Sequence, residues 1–322
     1  MKNIAIIGGG NSSEWSISVQ SAALIAKEFE ETEYKSYLVQ IKGQQWQVLI
    51  NEEIIADIDK NDFSFFLNGA KIKFDFALIA IHGTPGEDGI LQSYFELINL
   101  PYSTCGVLPS ALTFNKYACK LFLKEYKINS AKSVLIKKDN PIQIDEIFQK
   151  LGMPCFVKPN ESGSSCGVTK VSEKEHLATA IDHALTESNE VIIEQFIKGT
   201  EVTCGMVKTK TKELIFPITE VVSKKDFFDY QAKYTPGFSE EITPARISPE
   251  MAKKIRNISS KIYGALNCRG IVRIDYIISP DKIYFLEVNT VPGMSPNSIV
   301  PKQIREMGLT VAEVFRIIIE DI

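Results

Sequence analysis

Arg273, Asp275, Glu287 and Asn289 lie within residues 273–293, RIDYIISPDKIYFLEVNTVPG, which read as two strands around the turn Ser279-Pro280-Asp281-Lys282. Side chains alternate faces along a strand, so Arg273 and Asp275 share one face and Val272, Ile274 and Tyr276 take the other. On the second strand Glu287 and Asn289 pair in the same way, with Leu286 and Val288 reversed. A register that sets Asp275 opposite Glu287 also sets Arg273 opposite Asn289. Two carboxylates then face each other, which destabilises a sheet unless a cation lies between them. Asp, Glu and Asn oxygens are hard ligands of the kind that hold Mg²⁺ beside phosphates. The competing reading is a solvated sheet face, which the continuous apolar partners and the following Asn-Thr-Val-Pro-Gly disfavour.

Phosphate chemistry is suggested a second time by Lys158 and the loop Asn160-Glu161-Ser162-Gly163-Ser164-Ser165-Cys166-Gly167. Small residues between two strands offer backbone N–H groups and hydroxyls to an anion, with a lysine alongside. The GxxxxGK[ST] order is absent and a strand follows, so a P-loop is excluded. The alternative is a plain hairpin tip. Nearer the start, Gly8-Gly9-Gly10 follows an apolar run, but Ser13 stands where the third glycine of GxGxxG belongs, so the dinucleotide fingerprint fails. Glu14 precedes a helix, where an acid gains from the helix dipole whether or not it binds anything. His82 and Glu87 fall in HGTPGEDG at the carboxyl end of an apolar strand, the end at which open α/β sheets bind ligands. His176 and His183, seven apart on a polar helix, read as surface residues.

These groups need a scaffold. Strand, glycine turn and helix are expected over residues 3–29, a strand over 74–81 with a helix from 90, and a single helix over 110–126 carrying Lys116. A helix over 144–151, the strands PCFVKP and VTKV, a helix over 173–186 and an apolar strand from 191, interrupted by Glu194-Gln195 and ended by Lys198-Gly199 with Glu201 beyond that hinge, follow. Residues 223–240, polar and aromatic without period, suit a lid carrying Lys233 and Tyr234. Segments 296–306 and 310–320 close the chain, the second reading as a core helix. At 322 residues, 44% hydrophobic and 24% charged, there is room for two or three core-bearing units. A formal charge of −4 without a basic stripe argues against a grip on nucleic acid. No apolar run reaches about 18 residues, and MKNIAIIGGG leads straight into a strand, so neither a membrane span nor a signal peptide is expected and the protein is read as cytoplasmic. Cys105, Cys119, Cys155, Cys166, Cys204 and Cys268 form no CxxC pair and read as reduced, mostly buried thiols.

In order, GGGNSSEWSIS, IHGTPGEDG, KPNESGSSCGV, DYQAKY, GIVRIDY and LEVNTVPGMSPNS resemble the D-alanine–D-alanine ligase family across almost the whole chain. The resemblance implies an α/β ATP-grasp fold of three domains: an N-terminal open parallel-sheet domain over 1–110, a small central α+β domain over 111–200, and a C-terminal α+β domain over 201–322 with a lid over 222–240. It implies ATP and two Mg²⁺ (Mn²⁺ as a substitute), the metals on Asp275, Glu287 and Asn289. Lys116 and Lys158 would contact phosphates; Ser165 and its loop would close over them. Residues 194–197, with Glu194, Gln195 and Ile197, would hold adenine, and Glu201 the ribose. The first D-alanine would lie near Glu14 and His82, and the second on Ser298 and Lys233. Arg273 and the N–H of Gly293 would stabilise the oxyanion. Tyr234, Ser164 and Glu14 resemble a hydrogen-bonded triad that fastens the lid.

The family's reaction phosphorylates one D-alanine carboxylate with ATP and attacks the acyl phosphate with the amine of a second, giving the dipeptide used in peptidoglycan precursors. Two departures stand out: the phosphate loop reads Glu161-Ser162-Gly163-Ser164-Ser165 where Arg-Glu-Gly-Ser-Ser is common, and Asn297 stands where some members carry His. The Lys233-Tyr234 pair favours the dipeptide over a D-alanyl-D-lactate ester or another amino-acid ligation, the alternative reading. Small-molecule substrates, no nucleic acid, no membrane and a homodimer are expected. Arg273→Ala and Glu287→Gln are expected to abolish turnover and leave the fold intact.

Overall fold

The computed structural model describes residues 1–51, 53–163, 166–223, 239–280 and 282–321. Among the described residues three large sheets carry the chain, with a two-stranded fourth, Phe65–Leu67 against Ala70–Ile72. The first has the order Glu53–Asp57, Gln45–Ile50, Lys35–Lys42, Asn3–Gly9, Phe76–Ile79. Asn3–Gly9 pairs in parallel with both neighbours, and the two outer strands add an antiparallel edge. Its central strand is buried from Ile4 to Ile7, as a strand covered on both faces requires. The glycines at its end serve packing: a Cβ on Gly8 would stand 2.7 Å from the Ala22 Cβ, and one on Gly9, at φ +100, would collide with the Ile41 carbonyl oxygen. The helix they lead into, Trp15–Glu28, begins four residues earlier than its apolar pattern predicts and buries Ser18, Ser21, Ala22 and Ile25.

The second sheet, Thr169–Val171, Cys155–Pro159, Glu190–Gln195, Ser133–Lys137, is antiparallel throughout. Helices Ile144–Leu151 and Leu177–Ala184 cover it with Ile147, Leu151, Leu177 and Ile181 against Val157, Val191 and Ile193. A short 3₁₀ turn, Lys174–His176, precedes the second of these, and His176 and His183 are exposed. The third sheet runs Ser239–Ile242, Thr219–Ser223, Thr200–Lys208, Val272–Ile278, Ile283–Asn289, with Glu213–Ile215 also on Thr200–Lys208. Helix Pro249–Ala265 packs Ile255, Ile262 and Tyr263 onto it. Helix Val311–Glu320, opened by a capping box on Thr310 and Glu313, joins the first helix through Phe315 and Phe29, whose rings lie 6.3 Å apart.

Three expected elements change. The single helix over 110–126 is two, Val107–Phe114 and Lys116–Glu125, because Asn115 is extended and its side chain accepts from the Ala118 N–H. The apolar strand expected to end at Lys198-Gly199 ends sooner: Glu190–Gln195 belongs to the second sheet, and Thr200–Lys208, which carries Glu201 beyond the break, belongs to the third. Of the lid expected over 222–240, residues 222–223 and 239–240 are paired strand, and residues 224–238 lie outside the described residues. All six cysteines are free thiols and five are buried. Among the described residues, no helix is long and apolar enough to cross a membrane.

Candidate active site

The Val272–Ile278 and Ile283–Asn289 hairpin has the expected register: Arg273 faces Asn289 and Asp275 faces Glu287, with a bulge immediately after Asp275. Asp275 is buried. Its Oδ1 accepts from the Thr203 hydroxyl and from Arg273 Nε at 2.9 Å; its Oδ2 accepts from Arg273 Nη2 at 2.8 Å and Asn289 Nδ2 at 3.1 Å. A carboxylate has about four lone-pair sites, so the chain fills them all. Burial disfavours the Arg273 cation, but Asp275, Glu287 and Glu87 outweigh it and leave the guanidinium more firmly protonated than usual. Among the described residues no three His, Cys, Asp or Glu side chains are grouped so as to hold a metal ion. Two carboxylates and an amide form an oxygen donor set that suits Mg²⁺ shared with phosphate, which keeps water and substrate oxygens as remaining ligands. Such binding would require Asn289 to turn its amide, which now offers its N–H₂ to Asp275.

This hairpin forms one wall of a cleft. Across it stand Lys116, Lys158, Glu194, Gln195, Ile197 and Glu201, joined by Phe156, Ser162 and Gly163, while Arg273, Asp275, Glu287 and Asn289 line the hairpin side. Lys116, first residue of its helix, donates to the Ser162 carbonyl, tying that helix to the small-residue loop. Lys158 donates to Glu194 Oε2 at 2.6 Å. Ten sequence-predicted residues therefore meet in one place.

Glu14 and His82 sit at the end of the cleft, not in its wall. Glu14, buried before its helix, presses on the loop: a Cβ on Gly163 would stand 2.1 Å from Glu14 Oε2. The His82 ring meets the Ser21 hydroxyl at 3.2 Å. Burial holds its pKa below the ordinary value, against Glu14 and a Val291 backbone contact. Gly293 and Ser298 are neighbours, with a Gly293 Cβ 2.9 Å from Ser298 Oγ, and Ser298 is the N-cap of Ile299–Glu306 without capping it by its side chain. Ser164, Ser165, Lys233 and Tyr234 lie outside the described residues.

Two residues here were missed by the sequence reading. Thr203 lies two residues from Glu201 on the same strand face and opposite Asp275; the period of two marks it. Lys120 stands one turn after Lys116, a Lys-x-x-x-Lys spacing that puts both on one helix face; its ammonium is buried against Glu194.

Glu87, read as a small-molecule contact, also lines the cleft. Burial first, then Glu14, push its carboxyl up to about 8, against N–H groups of Gly83 and Val291. The fold thus favours the protonated form. That contribution is fully present below the ordinary value of 4.5 and is lost as pH rises through about 8. Urea unfolding of the ligand-free protein is expected to show stability falling relative to Glu87→Gln by up to about 1.4 kcal/mol per pH unit inside that window. Parallel pH curves for the two proteins would remove the argument.

Three sheets, with a polyphosphate-suited cleft between the second and third, define the ATP-grasp class of ligases. The family profile described as "D-ala D-ala ligase N-terminus" matches residues 3–105, and "D-ala D-ala ligase C-terminus" matches 122–320. The chain is 50% identical to the D-alanine--D-alanine ligase of Phocaeicola vulgatus over 321 residues, 99% of each protein. It resembles the solved D-alanyl-alanine synthetase A of Vibrio cholerae (TM-score 0.88, 30% identity, 99% of this chain and 97% of that one). It also resembles the VanG D-Ala:D-Ser ligase of Enterococcus faecalis (TM-score 0.87, 32% identity, 99% and 98%). The chain belongs to the D-alanine–D-alanine ligase family.

Proposed function

We propose that this protein joins two D-alanines to D-alanyl-D-alanine with ATP, for peptidoglycan precursors, using two Mg²⁺ held by Asp275, Glu287 and Asn289. The observation that supports it most is the single cleft that gathers Lys116, Lys158, Glu194 and Glu201 opposite Arg273, Asp275, Glu287 and Asn289. In this reading residues 1–110 hold the first D-alanine, with its ammonium at Glu14 and its carboxylate near His82, while 111–200 and 201–322 enclose the nucleotide. Gln195 and Ile197 present backbone groups to adenine. Bound Mg²⁺ supplies charge neutralisation at the β- and γ-phosphates. Lys116 and Lys158 orient the phosphates so that the carboxylate attacks in line, giving an acyl phosphate and ADP. Arg273 and the Gly293 N–H then receive the oxyanion formed when the second amine attacks. Ser298, at a helix N-terminus, binds the second carboxylate together with Lys233. Ser164, Ser165 and Tyr234 close the site, excluding the water that would hydrolyse the acyl phosphate. The enzyme is read as a cytoplasmic homodimer, as the family implies.

Phosphate release from ATP and Mg²⁺ is measured with D-alanine, L-alanine, and D-alanine plus D-serine or D-lactate, the products being identified by mass. The expected result is release with D-alanine alone and a dipeptide product. Release without the dipeptide, or preferential capture of D-serine or D-lactate, overturns the acceptor.

A further inference from the structure

Glu194 carries two ammoniums on one buried carboxylate. Its side chain is 5% exposed; Oε2 accepts from Lys158 at 2.6 Å, and Oε1 contacts the Lys120 ammonium. The two lysines are not equivalent. Lys158 is 20% exposed and lines the cleft, whereas Lys120 is 4% exposed and faces inward behind it. Burial first, and Lys158 second, press the proton off Lys120, with Cys119 and Glu287 acting the other way; the Glu194 carboxylate is the acid in direct contact with its ammonium. A fixed structural ion pair needs only one cation. A second is useful where the first must leave, because removing the sole partner of a buried charge is far more costly than never burying the pair.

We propose that Lys120 is a positioning residue for nucleotide binding: it keeps Glu194 neutralised, so that Lys158 can transfer its ammonium from Glu194 to the phosphates of ATP without stranding a buried carboxylate. The inference rests on the cleft being the ATP site. Lys120 touches no substrate in this arrangement and acts through Glu194 on Lys158. With Lys120 gone, Glu194 competes with ATP for Lys158.

Calorimetric titration with Mg·ATP, alongside steady-state kinetics, tests this in Lys120→Met and Lys120→Arg. Lys120→Met is expected to weaken ATP binding and raise the KM for ATP by about tenfold or more, with kcat and the KM for D-alanine within about threefold. Lys120→Arg, which keeps a cation beside Glu194, is expected to hold ATP binding within about threefold of wild type. A purely structural lysine would lower Tm and leave the KM for ATP unchanged in Lys120→Met; that result, or a Lys120→Arg variant that binds ATP as weakly as Lys120→Met, overturns the proposal. Should Lys120→Met fail to fold, Lys120→Arg decides: it must fold and bind ATP within about threefold of wild type. Titration with ATP reads Lys120 independently of the acceptor, so wild-type enzyme that binds ATP but makes no dipeptide would count against the proposed function alone.

Discussion

Arg273→Ala is expected to lower D-alanine-dependent phosphate release by at least about 10²- to 10³-fold, the loss typical of one oxyanion donor, and to destabilise the protein as well. The catalytic loss follows from the role in the proposed function: a fixed guanidinium beside the reacting carbonyl in a buried site. The stability loss follows from the geometry. Arg273 supplies two of the four hydrogen bonds on the buried Asp275 carboxylate. Truncation leaves that carboxylate with Thr203 and Asn289 only, and breaking a buried pair from one side costs about 3–5 kcal/mol. The expectation from sequence that the fold stays intact is therefore revised: the variant should fold with a lowered denaturant midpoint. Arg273→Lys separates the two effects. A single ammonium restores the charge near Asp275 but not the bidentate fork, so stability should largely return while turnover stays low. Wild-type turnover in either variant would remove Arg273 from the chemistry.

Such geometry was legible where a single constraint propagates. Because strand side chains repeat every two residues, pairing Asp275 with Glu287 determined that Arg273 meets Asn289, and the hairpin formed in that register. That the small-residue segment 160–167 joins two strands, Cys155–Pro159 and Thr169–Val171, was legible by composition. The break at Asn115 was not, because apolar periodicity continues on both sides of it; the capping preference of Asn is a local signal that the longer pattern masks. The break at Lys198-Gly199 was legible, but not that the strands on either side of it, Glu190–Gln195 and Thr200–Lys208, belong to different sheets. Lys120 went unread for a physical reason: a lysine on a helix is ordinarily solvated, and only Glu194, 74 residues away on another sheet, makes its burial tolerable.

Glu287→Gln is expected to lose turnover as severely as Arg273→Ala yet to move stability in the opposite direction. Glu287 lies directly opposite Asp275 on the hairpin. Like charges so placed are mutually destabilising, by roughly 0.2–1 kcal/mol, and in the ligand-free protein Arg273 only partly offsets them. Gln keeps the shape and removes the charge, so the apo protein should gain up to about that amount in urea unfolding. The same change removes one of the two carboxylates from the donor set proposed for Mg²⁺, Asp275, Glu287 and the Asn289 amide. Without that charge, Mg²⁺ and the phosphates it would neutralise are held less tightly, and phosphoryl transfer, which depends almost wholly on positioning and charge, loses its main support. Higher Mg²⁺ should recover part of the activity, and the stabilisation of the protein by Mg·ATP should shrink relative to wild type. A carboxylate retained for function at a cost to the empty fold gives this combination of signs. If Glu287→Gln instead unfolds more readily and keeps its response to Mg·ATP, the residue is a structural member of the sheet and the metal must be sought elsewhere.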